Sequence, residues 1–161
     1  MDGSTAVADR MARLCSEAAA LIDLDLDSVD GASGPLLHAQ LRTVTDQLQA
    51  FGARLLARIE DDGRWSAGGS RTFPEWMARQ ERTSVGAVRR EASLGRVLDA
   101  ELRATAQEVK AGRVTLEHAQ VLAQLGPTSE ARRAALAGDR PDLNESHLVS
   151  CARVLPVDQF R

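Results

Sequence analysis

The sequence predicts an all-α fold, a multi-helix bundle, and three observations carry that expectation. Ala is the commonest of the 161 residues, Tyr is absent, and only Phe51, Trp65, Phe73, Trp76 and Phe160 are aromatic. Ala, Leu, Arg and Glu favour helices, whereas β-branched and aromatic residues favour strands. Apolar residues recur at spacings of three and four over much of the chain, the signature of helices with one buried face. Residues that cap helices stand ahead of several of these runs. A chain of this length is enough for one domain, or for one domain with a helical extension.

The first helix is marked by Val7, Met11, Leu14, Ala18 and Leu21, at 4-3-4-3 spacing. Asp23 to Pro35 breaks the pattern with Asp, Gly, Ser and Pro, an acidic linker that Leu24, Leu26 and Val29 are expected to tack to the body. Residues 1–34 therefore form an N-terminal helix and linker, and 35–161 the main helical domain, expected to be one compact unit with them. The second helix is the clearest: Leu37, Leu41, Val44, Leu48, Phe51 and Leu55 step 4-3-4-3-4, and Ile59 continues the stripe. Two heptad-like seams in succession predict a long helical hairpin. Internal packing is the first expectation for the Leu37–Leu55 seam and a homodimer interface the alternative, because periodicity alone does not separate them.

Gly63 ends this helix, and Ser66 to Arg71 reads as a loop. Thr72, Pro74 and Glu75 are a start signal with a capping-box pattern, so a short helix follows through Trp76 and Arg79. Gln80 to Thr83 is a tight break. Ser84 caps a helix to about Leu98 with Val85, Val88, Ala92 and Gly95 along one stripe. Asp99 to Ala111 is the next, with Leu102, Ala106 and Val109 inward and Gly112 as its C-cap. Thr115 opens a helix closed by Gly126-Pro127, Ser129 to Ala137 is a short one, and Asn144 caps a last one carrying Leu148, Ala152 and Leu155. Val157 to Arg161 resembles the opening of another element, as though the domain were truncated at its C-terminus.

Charge narrows the function classes. The net charge is −3, and nineteen of the twenty basic residues are Arg. Residues 1–34 hold seven acids against Arg10 and Arg13, or −5, which leaves +2 for the rest. Such a chain is a poor general polyanion binder, because that affinity is built from many cationic contacts. A local patch remains. A short helix, a tight turn and an Arg-bearing helix outline a helix-turn-helix. Residues 79–96 carry Arg79, Arg82, Arg89, Arg90 and Arg96 against Glu81 and Glu91, a local +3. These five are the candidate nucleic-acid contacts, although the turn has no Gly.

Other chemistry finds little footing. His38, His118 and His147 lie in three helices without zincin spacing. No GxSxG or Walker loop is present, and no catalytic, cofactor-binding or metal residue is expected in this chain. Cys15 and Cys151 give neither a zinc motif nor a disulfide framework and are expected to be reduced core thiols. Trp65 and Trp76 bracket the loop at 66–72 and are expected to pin it to the bundle. There is no apolar run of the length that spans a bilayer. No membrane partner is expected, and the expected address is cytoplasmic.

An ordered set of residues then carries a family resemblance. It runs from Gly63-Arg64-Trp65 through Gly68-Gly69-Ser70-Arg71-Thr72 and Trp76-Met77 to Ser84 and Ala87-Val88-Arg89-Arg90. Ala111-Gly112-Arg113-Val114-Thr115-Leu116-Glu117-His118-Ala119 follows about twenty residues on. Together these resemble the actinobacterial family called domain of unknown function 222, over about residues 36–155. The resemblance implies a parent protein whose HNH endonuclease module lies downstream. A divalent metal would belong to that module and not to this chain, whose own role would be that of a non-catalytic, DNA-associated accessory domain. The alternative is a protein-interaction or homodimerisation scaffold without nucleic-acid contact.

Overall fold

The computed structural model describes residues 3–161, with side-chain environments from residue 5 onward. All regular structure among the described residues is helical, in nine α-helices and two 3-10 turns. The chain divides into two compact units, residues 1–39 and 40–161.

In the first unit, α1 (Gly3–Ile22) is followed by a 3-10 turn at Leu26–Ser28 and by the start of α2 (Gly34–Asp62). The acidic linker is built from carboxylates that satisfy its own backbone. Asp25 accepts the Asp27 N–H at 3.0 Å, and Asp30 accepts those of Ala32 and Ser33 at 2.8 and 2.9 Å. The Ser33 hydroxyl, with the Ser33 and Ala32 N–H groups, holds the Asp30 carboxyl below its ordinary value. Pro35 sits in the first turn of α2, where a missing N–H costs nothing. Leu24 and Leu26 are exposed, and Val29 is half-buried. Cys15 is likewise exposed rather than a core thiol.

In the second unit, α2 from residue 40 is joined by α3 (Phe73–Glu81), α4 (Val85–Ala100), α5 (Arg103–Lys110) and α6 (Leu116–Leu125). The set is completed by α7 (Glu130–Ala137), α8 (Glu145–Ala152) and α9 (Val157–Phe160). Five helix starts are capped by a side chain: Thr72, Ser84, Thr115, Ser129 and Asn144 each accept an N–H from three residues on. Gly63 and Gly112 end α2 and α5 at φ +74° and +71°, where a side chain would be strained.

Two apolar clusters fill this unit. One gathers Leu56, Phe73, Ala78, Val88 and Ala92 under Trp65 and Trp76. Trp65 and Trp76 lie 5.8 and 6.2 Å from the Phe73 ring, and the Trp65 indole N–H donates to the Glu60 carbonyl at 3.0 Å. These rings pin the 66–72 loop as expected. The other cluster joins Ala50, Leu98, Leu102, Val109, Leu116, Ala119, Leu122 and Ala152. Between them α2 and α4 cross at very short range, because a Cβ on Gly95 would lie 2.0 Å from the Ala53 carbonyl oxygen.

Long-range polar contacts finish the helix ends. Leu102 has no capping side chain, so the Thr105 N–H would be an orphan donor of the first turn of α5. Glu145 at the start of α8 accepts it at 2.7 Å, together with the Thr105 hydroxyl at 2.8 Å. Asp46 of α2 accepts the Leu116 N–H at 3.1 Å, and Gln47 donates to the Lys110 carbonyl at 2.8 Å. Glu108, buried, takes a two-pronged contact from Arg113 at 2.8 and 2.6 Å and another from Arg153 at 2.8 Å. Arg113 foremost, with Arg153, holds its carboxyl down to about 2.

Two expectations change here. α4 runs on to Ala100 and α5 starts only at Arg103, so the Asp99 start falls inside α4. α8 stops at Ala152, and Leu155 is exposed. Within the 40–161 unit, Leu41, Val44, Leu48, Phe51 and Leu55 of the stripe are 42–58 % exposed.

Candidate nucleic-acid interface

α3 and α4 are joined by a turn whose first residue, Arg82, takes the left-handed conformation at φ 55°. A Gly is often found at such a position, and here an arginine fills it. The Thr83 N–H still closes back on the Ala78 carbonyl at 3.0 Å. α4 then turns Val88, Ala92, Gly95 and Leu98 inward, which leaves Arg89, Arg90, Ser93 and Arg96 outward.

The five candidate arginines separate into two groups. Arg96 is engaged by Glu60 of α2, and Arg79 reaches the Ser70 hydroxyl in the preceding loop. Those two guanidiniums hold α4 and the 66–72 loop to the fold. Arg82, Arg89 and Arg90 are exposed and form no ion pair among the described residues.

Arg89 and Arg90 border an open groove of about 670 Å³ between α2, α4 and α6. Its polar wall is made by Gln49, Gln120 and Gln124, and Leu94, Val97 and Leu116 contribute apolar surface. Glu91 also lines it, with its carboxyl above the ordinary value because of burial and, secondly, the like charge of Glu81. Neither the glutamines nor the groove was readable beforehand, because they come from helices far apart in the chain. A lining of guanidinium and amide donors suits phosphate and sugar oxygens, while Glu91 opposes a polyanion.

The histidines do not converge on one site. His118 is buried: its Nδ1 lies 2.7 Å from the Thr115 hydroxyl, its Nε2 lies 3.0 Å from the Leu155 carbonyl, and its ring packs on Phe160. With Nε2–H donating and Nδ1 accepting, every polar group of that pocket is satisfied, so the ring locks α6 to the chain after α8. His38 and His147 are exposed. Cys151 Sγ does lie 3.7 Å from His147 Nε2, a contact that their spacing of four on one helix would have signalled. Among the described residues no group of three or more His, Cys, Asp or Glu is placed to hold a metal ion. Likewise, no helix among them is long and apolar enough to cross a membrane.

Residues 37–153 match the family described as domain of unknown function DUF222. The chain belongs to that family. No curated protein and no solved structure matches it. The matched span takes in the two apolar clusters, the α3–turn–α4 unit and the groove. The DUF222 match thus covers the whole candidate interface.

Proposed function

We propose that this DUF222 chain is a non-catalytic helical accessory domain that contacts nucleic acid through the α3–turn–α4 unit, in actinobacterial proteins of the HNH endonuclease type. The observation that carries this reading is that Arg82, Arg89 and Arg90, around the first half of α4, are exposed and form no ion pair among the described residues. Two of them border the groove. The resemblance to regions that precede HNH modules gives such a contact a use, namely positioning a downstream active site on its duplex. Any divalent metal would sit in that downstream module.

Three phosphate contacts make a weak, sequence-indifferent interaction. The logarithm of affinity should fall with the logarithm of salt concentration at a slope of about −2 to −3. Fluorescence anisotropy with a labelled duplex between about 50 and 200 mM salt measures this slope. Replacing Arg89 and Arg90 with Ala should weaken binding and reduce the slope by about 2. Binding that the double replacement leaves untouched would remove these side chains from the interface. No binding at the lowest salt would remove the nucleic-acid reading for this chain.

A second reading, self-association, is favoured by one specific observation: the apolar seam of α2 faces outward.

A further inference from the structure

The groove beside α4 is one end of a longer trough. Its cavity of about 670 Å³ shares Gln49, Leu116, Gln120 and Gln124 with a second cavity of about 270 Å³. Every residue that lines either cavity belongs to the 40–161 unit. α2 and α6 line both cavities, and α4 walls the first. Along α2 the lining passes from Arg42 and Asp46 through Gln49 to Ala53, about 16 Å of helix axis. An extended peptide covers that length with about five residues at roughly 3.3 Å each.

The two ends are cationic and the middle is not. Arg89 and Arg90 stand at the α4 end, and Arg42 at the other. All three are exposed and form no ion pair among the described residues. The carboxylates near Arg42 have other partners: Asp46 accepts the Leu116 N–H at 3.1 Å, and Glu117 pairs with Arg161 at 3.4 Å. Between the ends, the exposed residues Gln49, Gln120 and Gln124 stand beside the apolar surface of Leu94, Val97 and Leu116.

This chemistry favours a peptide over a nucleic-acid strand. A carboxamide both donates and accepts, as a peptide group does, so each glutamine suits a main-chain N–H and C=O together. A sugar–phosphate strand offers mostly acceptors, and its charge would meet Asp46, Glu91 and Glu117. Among the described residues no aromatic side chain lines either cavity, so bases have no stacking platform. Acidic side chains at the ends of a peptide would answer the unpaired guanidiniums with charge-assisted bonds.

We propose that this trough binds an extended peptide segment of about five residues, acidic at both ends and apolar between. The inference goes beyond nucleic-acid contact and does not rest on it, although Arg89 and Arg90 would serve both. Titrating the full chain into fluorescein-labelled Asp-Leu-Ser-Leu-Asp should raise the polarisation to saturation, while Lys-Leu-Ser-Leu-Lys should stay unbound. In amide-resolved NMR spectra the side-chain NH2 groups of Gln49, Gln120 and Gln124 should shift with the acidic peptide. That of Gln47, engaged on the Lys110 carbonyl, should not.

Arg42→Ala should weaken the peptide about tenfold and leave duplex affinity unchanged, because Arg42 lies at the end away from Arg89 and Arg90. Gln120→Ala should weaken the peptide less, without regard to salt. Both side chains are exposed, so helical circular dichroism should be retained. No polarisation change at low salt, equal binding of the basic peptide, or unaltered peptide binding by Arg42→Ala would overturn the inference. So would a thymidine pentanucleotide that shifts the three glutamine amides when the peptide does not, since the occupant would then be a nucleic-acid strand.

Discussion

Leu55 and Leu56 are the same residue type, adjacent on one helix, and belong to opposite worlds. Leu56 is 4 % exposed and packs with Phe73, Val88 and Ala92, whereas Leu55 is 47 % exposed at the end of the outer stripe. The difference holds along all of α2 from residue 41. Its inner face is alanine apart from Leu56, and its outer face carries Leu41, Val44, Leu48, Phe51 and Leu55. Size does not decide which face is buried; the approach of the neighbouring helix does. α4 comes so close at Gly95 that only small side chains fit around the Ala53 carbonyl, and large residues are left to the other side. The lesson is that a hydrophobic period locates a contact surface without saying whether the partner belongs to the same chain.

The largest expected effects lie on the inner face. Leu56→Ala should cost about 3 kcal/mol in urea denaturation, from lost transfer energy and the cavity left behind. Gly95→Ala should cost about 2 kcal/mol, because the clash with the Ala53 carbonyl outweighs the gain of about 1 kcal/mol in helix propensity. A neutral or stabilising Gly95→Ala would break the close-crossing account.

The polar staples give the next effect, read along the pH axis. The Glu108 carboxyl is held from an ordinary value of 4.5 to about 2. Its contribution to stability is therefore fully present above pH 4.5 and is lost as pH falls toward 2. Glu108→Gln should lower the melting temperature at neutral pH and flatten its decline across that acid window. An unchanged pH profile would mean that the Arg113 and Arg153 pairing is absent in solution. In the groove, Glu91→Gln removes a charge whose pKa is already raised, so duplex affinity should rise two- to threefold, about 0.5 kcal/mol on the anisotropy scale. The smallest effect belongs to the outer face: Leu55→Ala should alter the stability of the dilute chain by about 0.5 kcal/mol or less.

How much of this was legible follows the range of the interactions. The caps at Thr72, Ser84, Thr115, Ser129 and Asn144 act over three residues, so the helix starts they mark stand in the sequence. The start of α5 does not, because its cap is Glu145, forty residues on. α4 passes Asp99 because nothing local stops it, and Arg54 of α2 holds that carboxylate. The same reasoning divides the arginine patch. Residue type marked all five arginines as candidates, but the Glu60 partner that engages Arg96 is 36 positions away. Charge counting along a window cannot register such a pairing. The stripe of α2 was visible as a period. Its exposure was not, since that depends on where α4 crosses.

Thiol labelling at Leu48→Cys and Ala53→Cys, each in a background of Cys15→Ser and Cys151→Ala, tests the two-faced helix most directly. In the dilute chain Cys at 48 should react with a water-soluble reagent near the free-thiol rate, while Cys at 53 should be strongly protected. Strong protection of position 48 at every concentration would contradict the account, because it would place the outer face inside the folded chain.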